Sequence, residues 1–123
     1  MIIKSNNTKL EIKTSKSESN IGLSEDDYWY KISYEISNNE INLNGTKELV
    51  TYKELLFIKD KLLEFINGDI KKKENIKFIK NFFRLNVYKD ILEIYLININ
   101  EKQENYRLLL DKDDVNNLIL MLN

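Results

Sequence analysis

From Tyr28 to Ile36 the even positions carry Tyr28, Tyr30, Ile32, Tyr34 and Ile36, and the odd ones carry Trp29, Lys31, Ser33 and Glu35. Successive side chains leave a pleated backbone on opposite sides, so this period of two marks a strand with one buried and one wet face. A chain that contains it must build a sheet and cover its apolar side. Ser37, Asn38, Asn39 and Glu40 follow as turn formers, and Ile41 and Leu43 then resume the alternation. The region reads as a hairpin. Leu10-Glu11-Ile12 supplies a shorter alternating piece upstream, separated by a polar loop over 14–20 and the acidic trio Glu25-Asp26-Asp27.

Thr51 opens a helix. With Glu54 it has the spacing of a capping box, and Val50 and Leu55 stand where a hydrophobic staple would close. Leu55, Ile58, Leu62, Phe65 and Ile66 share one stripe, and Gly68 stands where a helix ends in the left-handed conformation. Beyond Lys71-Lys72-Lys73, strand-like alternation returns over Ile76–Tyr88, over Ile91–Ile99 after a Lys89-Asp90 turn, and from Tyr106 after a polar turn over 100–105. A short helix starts at Asp111–Asp114 and presents Val115, Leu118, Ile119 and Leu122 at i, i+3, i+4 and i+7. The order strands, helix, strands, helix predicts an α+β fold in one domain over 1–123: a curled antiparallel sheet of five to six strands, a long helix over 51–67 on one face, and a short C-terminal helix.

Composition restricts the chemistry. The chain has no His, Cys or Pro. Disulfides, thiolate nucleophiles, imidazole bases and ordinary zinc sites are therefore excluded. The 19 Lys and Arg nearly balance 20 Asp and Glu, giving −1 overall, whereas nucleic-acid-binding domains usually carry a strong basic excess. No apolar stretch is long enough for a membrane span or a signal peptide. The expectation is a soluble, cytoplasmic protein without cofactor, metal, nucleic-acid or membrane partner, monomeric or weakly dimeric.

Asp111, Asp113 and Asp114 have acidic spacing, but a calcium loop needs an oxygen ligand where Val115 stands and Gly where Asn116 stands. They read as helix-capping acids that also form an acidic edge. Glu25, Asp26 and Asp27 read as a solvated loop first, and second as an edge that attracts a basic partner. Lys71–Lys73, with Lys77 and Lys80 among Phe78, Phe82 and Phe83, imitates a nucleic-acid surface, yet Phe83 alternates as a core residue. Trp29 and Phe57 break phase with their elements. Phe57 shares a helix face with Lys53, Lys61 and Glu64, and is the better candidate for a partner contact.

The order Tyr28-Trp29, Glu48-Leu49-Val50-Thr51-Tyr52-Lys53-Glu54-Leu55, Leu62-Leu63-Glu64, Asn67-Gly68-Asp69, Phe82-Phe83-Arg84-Leu85, Asp90-Ile91-Leu92-Glu93-Ile94 and Asn105-Tyr106-Arg107-Leu108-Leu109-Leu110-Asp111 resembles the WapI-like immunity proteins of bacteria. The resemblance implies a small cytoplasmic protein that binds and occludes the toxic domain of a contact-delivered or secreted toxin; the acidic edges, which suit a basic nucleic-acid-cleaving site, make a nuclease the expected target. Glu25, Asp26, Asp27, Phe57, Asp111, Asp113 and Asp114 are the expected partner-facing residues. The alternatives are a small carboxylate-dependent enzyme, which requires convergent acids with one raised pKa, and a scaffold that dimerises through strand 28–36 at an open sheet edge.

Overall fold

The computed structural model describes residues 1–100 and 102–123; Glu101, within the turn expected over 100–105, lies outside the described residues. The fold is α+β. In chain order it runs β1 (Ile2–Lys4), β2 (Lys9–Lys16), a 3-10 turn (Glu25–Asp27), β3 (Trp29–Ser37), β4 (Asn42–Thr51), α1 (Tyr52–Ile66), β5 (Glu74–Lys77), β6 (Phe83–Val87), β7 (Leu92–Leu96), β8 (Tyr106–Leu110) and α2 (Lys112–Leu122).

The strands divide between two sheets. One is a five-stranded sheet in the order β1-β8-β7-β6-β5, and the other is a three-stranded sheet in the order β2-β3-β4. All pairings are antiparallel except β1 with β8, which run parallel. The alternation over 28–36 lies in β3, between β2 and β4. Both edges of β3 are therefore occupied, and it cannot serve as the open edge through which a dimer would form. The run over Ile76–Tyr88 is two strands, because the chain reverses between Lys77 and Phe83 and pairs β5 with β6. The stacked rings of Phe78 and Phe83, 4.6 Å apart, hold this turn.

The inner faces of both sheets meet the apolar sides of α1 and α2. Val50, Leu62, Phe65, Val87, Leu92 and Val115 are completely buried. A small apolar cavity of about 90 Å³ remains where Ile32, Leu49, Leu62, Leu85, Leu108 and Leu118 converge, residues drawn from both sheets and both helices. A bulge at Tyr30/Lys31 shifts the register against β4. It lets the consecutive Leu49 and Val50 both turn inward, where strict alternation would send one out to solvent.

Both helices begin as their sequences predict. Thr51 Oγ1 accepts from the Glu54 amide at 3.2 Å, and Glu54 Oε1 accepts from the Thr51 amide at 3.0 Å. Asp111 and Asp114 form the same reciprocal pair at 3.0 Å each way. α1 closes with Gly68 at φ +76°, with the Gly68 amide bonded to the Phe65 carbonyl and the Asp69 amide to the Glu64 carbonyl. This double bond is a Schellman closure, which glycine enters without steric cost.

Candidate protein-binding surface

Glu25, Asp26 and Asp27 form an exposed 3-10 turn. Ser24 Oγ donates to Asp27 at 3.0 Å and steadies the turn. It packs against α1, anchored where the Tyr52 amide donates to the Tyr28 carbonyl at 2.7 Å. The acids thus sit at the start of the helix, where its dipole favours negative charge.

One turn further along α1 stand Leu56, 41% exposed, and Phe57, 47% exposed, and the loop before the acids exposes Ile21 and Leu23. Phe57 is held rather than free. Lys61 Nζ lies 5.6 Å from its ring centroid, and Glu64 and Glu74 fix that ammonium at 2.7 and 3.0 Å. The acidic turn and the α1 helix it packs against therefore expose three carboxylates, Leu56 and the ordered ring of Phe57.

The second group of expected residues is spent differently. Asp111 and Asp114 cap α2, and Asp114 also accepts from Ser5 Oγ at 2.5 Å, tying α2 to the segment after β1. The Asp114 amide, bonded to the Asp111 carboxylate, lowers the pKa of Asp111. Asp113 is exposed in the first turn. Among the described residues no group of three metal-binding side chains is assembled.

Trp29 is half-buried. Lys80, from the turn between β5 and β6, places its ammonium 4.5 Å from the indole centroid and reaches Glu48 at 2.9 Å. Glu48 also accepts from Ser17 and, at 2.9 Å, from Ser19. Led by the Ser17 hydroxyl, then Lys80 and Ser19, these bonds hold the Glu48 carboxyl down at about 2. The cluster ties the loop after β2 to β4 and to the turn between β5 and β6.

Sequence reasoning missed a buried acid. Glu93 is 3% exposed. Arg107 grips one of its oxygens through Nε at 3.1 Å and Nη2 at 2.8 Å, and Asn86 Nδ2 donates to the other at 3.1 Å. Burial opposes ionisation most strongly, yet the bonds from Arg107 and Asn86 and the charges of Arg107 and Lys73 hold its pKa below the ordinary value. The alternation of β7 marks Glu93 as outward-facing, but which strands flank it is a matter of long-range pairing.

An open groove of about 780 Å³ runs along the unpaired edge of β4, with Asn42–Lys47 on one side and Ile99, Asn100 and Tyr106 on the other. Tyr34 reaches into it over Gly45, where an added Cβ would meet the phenol oxygen at 2.9 Å. Burial raises the pKa of this phenol. Compared with known proteins, the chain matches no family model, no curated protein and no solved structure.

Proposed function

We propose that this chain is an immunity-type protein, which neutralises a bacterial toxin domain by binding and occluding it. The observation that supports this reading is the acidic turn Glu25–Asp27 packed at the start of α1, a turn away from the ordered, exposed Phe57. Aromatic anchors within a charged rim are the usual anatomy of a recognition surface. The sign of the charge suits a basic partner such as a nuclease. Among the described residues the carboxyl groups displaced from their ordinary values (Glu18, Glu48, Glu93 and Asp111) are displaced downward. A carboxylate-dependent acid catalyst would need one displaced upward, so binding is favoured over catalysis.

Co-expression with a toxin domain encoded beside this gene tests the proposal. The expected result is a one-to-one complex and protection proportional to the amount of this protein. Phe57→Ala should weaken the complex by roughly 1–2 kcal/mol, as buried interface aromatics do. Full protection by far less than one molecule per toxin would overturn occlusion as the mechanism.

A further inference from the structure

The five-stranded sheet has a second face, turned away from the core. Along β6 the inward residues Phe83, Leu85 and Val87 are buried while Arg84 and Asn86 are partly exposed, and along β8 Tyr106, Leu108 and Leu110 are buried while Arg107 is exposed. Among the described residues the helices pack on the inner side, and the outward Arg84, Asn86 and Arg107 remain partly or fully exposed.

Its chemistry follows from the register. Lys77 pairs with Arg84, Arg84 with Tyr95, and Tyr95 with Arg107, so four adjacent strands place three cations and one tyrosine in a single row. In the neighbouring row Asn86 pairs with Glu93, whose charge Arg107 already takes. Lys77 and Arg84 therefore face each other across strands as like charges, an arrangement that disfavours the sheet. Arg84 Nε is also buried and lacks a hydrogen-bond partner. Beside the row, Lys73 lies 5.1 Å from the ring centroid of Tyr88. An overall charge of −1 thus conceals a basic, aromatic face.

An anion bound over Lys77 and Arg84 would relieve the repulsion between them. The tyrosines distinguish between kinds of anion. An acidic protein needs only the charges, whereas unpaired bases stack on rings set among cations. A broad sheet surface can receive splayed, unpaired bases. We propose that the outward face of the five-stranded sheet binds single-stranded nucleic acid, with Lys77 and Arg84 on phosphates and a base stacked on Tyr95. This site shares no residue with the surface assigned to the protein partner and stands independently of it.

Fluorescence anisotropy with labelled oligouridine and oligothymidine of about 12 nucleotides tests the proposal at about 50 and about 200 mM salt. Binding to either strand that weakens steeply with salt is expected. Lys77→Gln should reduce the logarithmic salt slope by roughly one contact. Tyr95→Ala should lower affinity about tenfold or more, and Tyr95→Phe should restore it, which separates stacking from any loss of fold. Absence of binding at the lower salt would overturn the proposal. So would equal competition by polyglutamate together with unchanged binding by Tyr95→Ala, because the face would then be a site for acidic protein.

Discussion

Glu48 illustrates how much a single side chain can commit to local order. Its carboxyl titrates at about 2 against an ordinary 4.5 because Ser17, Lys80 and Ser19 favour the ionised form. A carboxyl with a depressed folded-state pKa stabilises the protein above its unfolded value, and that contribution disappears as pH falls toward the folded value. Glu48→Gln should therefore lower the urea midpoint at neutral pH, and its deficit relative to the parent should shrink between pH 4.5 and about 2. A deficit independent of pH would show that shape rather than charge is what Glu48 provides. Under the proposed immunity role, the exposed acids would act through rate instead. Reversing Asp26 and Asp27 to Lys should slow association with a basic partner about tenfold at low salt while leaving dissociation nearly unchanged. Stopped-flow mixing separates the two.

α1 was legible almost completely, since its start, stripe and stop are all local signals. The Thr51–Glu54 box, the staple residues Val50 and Leu55 and the closing Gly68 each appear where their spacing predicts. Thr51→Ala should cost on the order of 1 kcal/mol in chemical denaturation. Glu54→Ala should cost at least as much, because Glu54 also accepts from the Ile79 amide at 3.0 Å. The strands were legible by face and less so by pairing. Phe83, Leu85 and Val87 point inward as their alternation requires. The reversal between β5 and β6 lacks the glycine that marks a tight turn, and a stacked aromatic pair stabilises it instead. The bulge beside Leu49 is equally silent, because it exists only relative to the register of β3.

At the scale of the whole molecule, sequence patterns identify the pieces but not how they are apportioned. Two sheets stand where one curled sheet was expected, and β1 escapes notice because three residues carry no usable period. The candidate site divides in the same way. The exposure of Phe57 follows from helical phase, while the seating of Glu25–Asp27 against α1 and the row Lys77–Arg84–Tyr95–Arg107 depend on chain segments far apart in sequence. Ile3, 2% exposed on the edge strand β1, is a direct probe of this assembly. Ile3→Ala should cost about 2–5 kcal/mol, the range for a truncated core side chain. A change within a few tenths would mean that β1 docks without stabilising the sheet.

The parallel pairing of β1 with β8 also sets an order in time. The Met1 ammonium reaches the Asn105 carbonyl at 3.4 Å across 104 positions of sequence. Contacts so distant close late, because a long loop must be ordered before they repay it. On the ribosome β1 has to wait for β8, which follows it by about a hundred residues. Until then the apolar Ile3 and the unpaired edge of β7 remain available to other chains, so the vulnerable stage for this protein is its own synthesis.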